Sequence, residues 1–156
     1  MDTAIVRFMD MRALGVDYGA RRIGLALSDV TGLLARAWKT VERAGNPIQV
    51  AAALATEAKT LAGEDDGLSV IVVGFPRRLN GDPTDQTAVV EAVAARLRTL
   101  VAIPVVLQDE RLSSHEADHR LAQREKDWRK RKAALDAASA AVILQDYLDS
   151  HSEGRR

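Results

Sequence analysis

A chain of 156 residues without cysteine excludes a disulfide-stapled module and any thiolate metal site, and its length suits a single domain. Lysine and arginine total 22 against 22 aspartates and glutamates, so no net field draws the chain toward a polyanion or an anionic membrane. With no apolar run near the roughly 18 residues of a membrane span and no secretory signal, the composition points to the cytoplasm and to no membrane partner.

Residues 1–10 lack periodicity and read as a flexible extension, with Met11-Arg12-Ala13 as the natural start of the domain. Ala13 to Asp17 and Ile23 to Ser28 read as two strands joined by the tight turn Tyr18-Gly19-Ala20. A third strand covers Ala35 to Val41 after the Thr31-Gly32 turn, with Trp38 expected in the core. Asn46-Pro47 is a helix start, a cap residue followed by proline, and the alanine-rich stretch Val50 to Leu61 forms an amphipathic helix. Leu68 to Val73 is continuously apolar and β-branched, the pattern of a buried central strand.

Beyond that strand, Gly74-Phe75-Pro76 and Asn80-Gly81-Asp82-Pro83 read as loop, Thr84 to Leu100 as helix and Ile103 to Leu107 as strand. Ser113 to Arg124 is a helix opened by a Ser113/Glu116 capping box. A basic linker follows, then a last helix from about Ala133 to Leu148, with 151–156 as a flexible tail. From Arg120 to Lys132 seven basic residues (Arg120, Arg124, Lys126, Arg129, Lys130, Arg131, Lys132) face two acids, whereas Glu64-Asp65-Asp66 is acidic. A local basic excess steers a nucleic-acid backbone even when the total charge is zero; the plainer reading is a solvated loop. The order β-β-β-α-β-α-β-α-α describes an α/β fold with a five-stranded mixed sheet, three antiparallel strands first and βαβ units after, flanked by helices.

Three acids stand where such a sheet gathers ligands. Asp17 ends the first strand, Glu110 follows the last, and Asp136 lies in the first turns of the final helix on a face with Ala140, Ile143 and Tyr147. Ser139 and Ala140 beside it let that helix approach the sheet closely. Three converging carboxylates form a hard oxygen site for Mg²⁺ or Mn²⁺. Two such ions about 3.5–4 Å apart activate a water and stabilise the leaving oxygen in phosphodiester hydrolysis. Taken singly each acid has a plainer reading: a turn aspartate, a loop glutamate and a helix-end acid favoured by the dipole.

Two other motifs compete. His115-Glu116-Ala117-Asp118-His119 has the H-E-x-x-H spacing of zinc hydrolases, but Glu116 serves the capping box and the remaining histidine, His151, is in the tail. Asp17-x-Gly19 also resembles the opening of actin-like kinases, which need two lobes where this chain has length for one. An inactive nucleic-acid-binding module is the remaining alternative.

Four segments in order settle the choice. Ala13-Leu14-Gly15-Val16-Asp17-Tyr18-Gly19 with Ile23-Gly24-Leu25-Ala26, then Val72-Val73-Gly74-Phe75-Pro76 with Asn80-Gly81, resemble motifs of the YqgF/RuvX family. Asp109-Glu110-Arg111-Leu112-Ser113 and Leu135-Asp136-Ala137-Ala138-Ser139-Ala140 resemble two more. The resemblance covers Met11 to about Leu148, so residues 11–150 are expected to form one nuclease domain. It implies an RNase H-like fold related to RuvC resolvases and a nuclease that matures the 5′ end of pre-16S rRNA. It also implies Asp17, Glu110 and Asp136 as catalytic, metal-binding acids.

The alternative within the family is a Holliday junction resolvase acting on DNA as a homodimer. Arg77-Arg78 departs from the family's pattern and adds positive charge near the rim, and Ser139 stands where many members have alanine. Arg21, Arg22, Arg77, Arg78 and Arg111 are candidates to hold flanking phosphates. Arg124, Lys126, Arg129, Lys130, Arg131 and Lys132 would contact the backbone of RNA or DNA, with Trp128 among them. For Arg21 and Arg22 a role as solvated turn residues stands beside that one.

Overall fold

A computed structural model describes residues 11–19, 21–75, 85–109 and 128–152, and within them the side chains other than those at 85, 128–133 and 152. Its strands are β1 (Arg12–Tyr18), β2 (Arg22–Ser28), β3 (Ala35–Glu42), β4 (Leu68–Phe75) and β5 (Val105–Asp109). The helices of the described residues are α1 (Pro47–Ala62), α2 (Asp85–Leu100) and α3 (Trp128–Ser152). The five strands form one sheet in the order β3-β2-β1-β4-β5. The first three are antiparallel, while β1, β4 and β5 run parallel, each parallel step made through a helix.

Strand alternation divides the core between the two faces of this sheet. Leu14, Val16, Ile23, Leu25, Ile71 and Val73 point toward α1 and α2, where Leu54, Leu61, Val93 and Leu97 bury against them. Ala13, Ala26, Val70 and Val72 point the other way, beneath Ala140, Ile143, Leu144 and Leu148 of α3. The side chains under α3 are the smaller set, so that helix lies close to the sheet.

The start of α1 matches its sequence signal. The Gln49 N–H donates to Asn46 Oδ1 (3.0 Å) and the Asn46 N–H to Gln49 Oε1 (2.8 Å), a reciprocal capping box. Asn46→Ala should therefore lower stability by about 1 kcal/mol, read as a lower urea midpoint with an unchanged slope. At the far end of the molecule α3 is fixed to the β2–β3 loop. Gln145 accepts from the Ala35 N–H and donates to the Leu33 carbonyl, both at 2.9 Å. Asp29 orders the same loop by accepting from the Leu33 and Leu34 N–H groups.

Three expectations need correction. Trp38 is not in the core: it is 37% exposed. It lies on the edge strand, where Leu25 pairs with Lys39 and Ala26 with Ala37, so Trp38 is the extra residue of a bulge and escapes the alternation. Its ring meets the Lys39 ammonium 4.4 Å from its centroid. Strand β5 runs two residues later than the apolar stretch suggests, because Pro104 has no N–H to give the ladder and serves through its carbonyl, which accepts from Ile71. Helix α3 begins at Trp128 rather than Ala133, so Arg129, Lys130, Arg131 and Lys132 belong to the helix and not to a linker. Arginine and lysine are good helix formers, and their charge was a misleading loop signal. The helix expected from Ser113 to Arg124, with its H-E-x-x-H spacing, lies outside the described residues.

Candidate active site

Asp17 is the sixth residue of β1 and is only 7% exposed. Its neighbours Val16 and Tyr18 belong to the α1/α2 core, and Ala13 to the α3 core. By alternation Asp17 shares the α3 face with Ala13 and Gly15. An aspartate in that position is buried under a helix at the C-terminal end of its strand, where a parallel sheet exposes its ligand-binding rim.

What lies opposite is decided by two glycines. Asp17 pairs across the ladder with Gly24 of β2. A methyl group on Gly24 would stand 1.9 Å from the carbonyl oxygen of Asp136 and 2.3 Å from its carbonyl carbon. The backbone of α3 at Asp136 therefore rests directly on the residue paired with Asp17. One helical turn further on, a methyl on Gly15 would meet the Ala140 carbonyl oxygen at 2.9 Å and Leu144 Cβ at 2.8 Å. Gly15 and Gly24 thus make the track along which α3 crosses β1 and β2, and the buried Ala137, Ser139 and Ala140 are its counterparts on the helix. Asp17 and the backbone of Asp136 thus both adjoin Gly24 on the α3 face of the sheet.

The Asp136 carboxylate is bracketed. Its Oδ1 is 3.5 Å from the place a Gly19 side chain would occupy, and its Oδ2 is 3.5 Å from Arg22 Nε. Both side chains of this ion pair are partly covered, at 26% exposure for arginine and 21% for aspartate. Asp136 sits eight residues into α3, beyond the first turns where sequence reading placed it, so the helix dipole is not what favours its charge.

Arg43, a residue without any motif or pattern to single it out, braces the turn beside this site. Its Nη1 donates to the Gly19 carbonyl (3.0 Å), its N–H donates to the Arg21 carbonyl (3.1 Å), and its guanidinium lies 4.2 Å from the centre of the Tyr18 ring. The Gly19 N–H donates to the Arg22 carbonyl at 3.0 Å and closes the turn. Arg43 reaches this turn because β3, which ends beside it at Glu42, is a neighbour of β2.

Of the other expected site residues, Arg21 is exposed in this turn, while Arg22 faces Asp136. Glu110, Arg111, Arg77, Arg78, Arg124 and Lys126 lie outside the described residues, and the side chains of Arg129, Lys130, Arg131 and Lys132 are likewise not described. Glu110 follows Asp109, the last residue of β5. That strand runs parallel to β4 and, through it, to β1, so it ends at the same rim as Asp17. Among the described residues no three metal-ligating side chains form a cluster. Asp17 and Asp136 are hard, anionic oxygen donors of the kind that Mg²⁺ and Mn²⁺ prefer.

Comparison with known proteins is consistent with this geometry. A family model described as "RuvX: Holliday junction resolvase" matches residues 11–150. A protein of Geobacillus kaustophilus named "Putative pre-16S rRNA nuclease" is 38% identical over 144 residues, covering 90% of this chain and 99% of that protein. One of the same name from Syntrophus aciditrophicus is 40% identical over 145 residues, covering 92% and 91%. Among solved structures, T. thermophilus RuvC in complex with a Holliday junction substrate superposes with a TM-score of 0.53 at 14% identity, over 91% of this chain and 96% of that one. At that identity the likeness concerns the fold, which is RNase H-like as in RuvC.

Proposed function

The chain belongs to the RuvX family of Holliday junction resolvases, and from that premise we propose that it is a divalent-cation-dependent nuclease that trims the 5′ end of pre-16S rRNA in the cytoplasm. The observation that carries the reading is the burial of Asp17 on the α3 face, opposite the glycine on which Asp136 rests. A carboxylate buried as Asp17 is costs free energy to keep ionised, and a divalent cation bound at this face would offset that cost. Asp17, Asp136 and Glu110 would hold Mg²⁺ or Mn²⁺. The chemistry a pair of such ions would supply there is activation of a water and stabilisation of the leaving 3′ oxygen.

The chain's own residues set the rest of the geometry. Gly24 and Gly15 fix the height of α3 and with it the position of the Asp136 oxygens. Gly19 keeps the approach to Oδ1 clear, and Arg43 holds the turn in which it sits. Arg21 supplies an exposed cation for a flanking phosphate at this rim. Arg129, Lys130, Arg131 and Lys132, in the first turns of α3, extend the positive charge along the substrate backbone. Residues 11–150 act as the one nuclease domain in this reading. No helix of the described residues is long and apolar enough to cross a membrane.

The relatives' names favour RNA. The likeness to RuvC supplies the second reading, resolution of DNA junctions by a homodimer with two such sites. The purified chain should be tested with Mg²⁺ or Mn²⁺ on a 5′-extended 16S RNA, a single-stranded DNA and a four-way DNA junction. Cleavage of the RNA leader, abolished by EDTA and falling steeply with salt, is expected. Symmetric cutting of the junction with the RNA left intact would transfer the assignment to the resolvase, and cutting of none would defeat both.

A further inference from the structure

Arg22 is turned toward a carboxylate of the candidate site. Its Nε is buried without a hydrogen-bond partner, and lies 3.5 Å from Asp136 Oδ2. The pairing is therefore electrostatic, without an aligned N–H···O bond. Asp136 cannot relieve it by moving its backbone, because its carbonyl rests on Gly24, two residues along the same strand from Arg22. A cation of the protein thus occupies one oxygen of a carboxylate that a divalent ion would need.

We propose that Arg22 is a displaceable latch on Asp136. It neutralises and orients the carboxylate while no divalent cation is bound, and it yields Oδ2 when one arrives. The inference rests on Asp17 and Asp136 being metal ligands, and it adds that the affinity for metal is set by competition with Arg22. Two cations cannot both hold one carboxylate oxygen at full strength, since each raises the energy of the other at such range. The missing hydrogen bond makes the latch easy to open, because releasing Nε breaks no directional bond. Arg22 is thus a positioning residue that acts through Asp136.

The test is a calorimetric Mn²⁺ titration of the full chain without substrate. Arg22→Gln should bind Mn²⁺ about five- to tenfold tighter than wild type, and Arg22→Lys, which keeps the charge, should stay within about twofold. Arg22→Met keeps the aliphatic stem and should tighten binding in the same way, which covers a failure of the glutamine variant to fold. Metal-free Arg22→Gln should melt below wild type, and Mn²⁺ should raise its Tm by more. Unchanged or weaker binding in both neutral variants, with Asp136→Asn still reducing affinity by about tenfold or more, would overturn the latch and leave the metal site standing. Undiminished binding by Asp136→Asn would overturn the latch together with the metal-ligand reading.

Discussion

Gly24→Ala should reduce turnover by about 100-fold and stability by about 2–3 kcal/mol, although it adds only one methyl group and removes no charged or polar side chain. That methyl would lie 1.9 Å from the Asp136 carbonyl oxygen and 3.0 Å from the Ala137 nitrogen, both of them backbone atoms that cannot rotate aside. Helix α3 must lift or slide, and the Asp136 carboxylate moves with it. A displacement near 1 Å at a positioned catalytic group costs about two orders of magnitude in rate. Gly63→Ala is the control, since its methyl would meet only the Lys59 and Thr60 carbonyls at 3.5 and 3.6 Å, ordinary contact, with φ at −82°. Urea melts and single-turnover rates should separate the two variants, and a fully active Gly24→Ala would refute the placement of α3 as the device that sets the site.

Asp17→Asn should lower the cleavage rate by about 10³-fold or more while leaving stability unchanged or higher by up to about 1 kcal/mol. The opposite signs come from one fact. The carboxylate is buried at 7% exposure on the α3 face, so keeping it ionised costs the fold desolvation that a bound divalent cation would offset. Asparagine keeps the shape and removes the charge. A variant that is both inactive and several kcal/mol less stable would mean that the carboxylate supports the structure instead of the chemistry. The same substitution should reduce the Tm gain on adding Mn²⁺, because only ligands that bind the native state raise Tm.

Strands and helices were legible wherever local pattern and tertiary role agree. Leu68 to Val73 could only be a central strand, and Asn46-Pro47 could only open a helix. Asp17 stood out for the opposite reason: a charge at the end of an apolar run contradicts its surroundings, and the structure buries it on the α3 face. Small residues around Asp136 foretold a close helix, and Ala140 is fully buried as that requires. The partner surface was not legible in the same way. Gly15 and Gly24 appear in the sequence as family motif positions, and only the ladder pairing Asp17 with Gly24 shows that one of them sets the height of the helix above the acid.

Where sequence reading failed, the cause was a tertiary event with no local trace. Trp38 looked buried because aromatic strand residues usually are, and a one-residue bulge on the edge strand turned it outward. Arg22 read either as a phosphate ligand or as a solvated turn residue, and its ion pair with Asp136, a residue from the far end of the chain, left no local trace. Arg43 gave no sign at all, since its value lies in reaching a turn on a neighbouring strand.

The most direct measurement is a double-mutant cycle on Asp17 and Asp136, scored by single-turnover cleavage of a 5′-extended 16S RNA in Mn²⁺. Two acids that serve one metal site act as a unit, and their effects do not add. Asp17→Asn, Asp136→Asn and the double variant should fall to the same residual rate, all folded and all at least about 10³-fold below wild type. Single variants that keep a tenth of the activity, or losses that multiply in the double variant, would contradict a shared catalytic site at the crossing of β1 and α3.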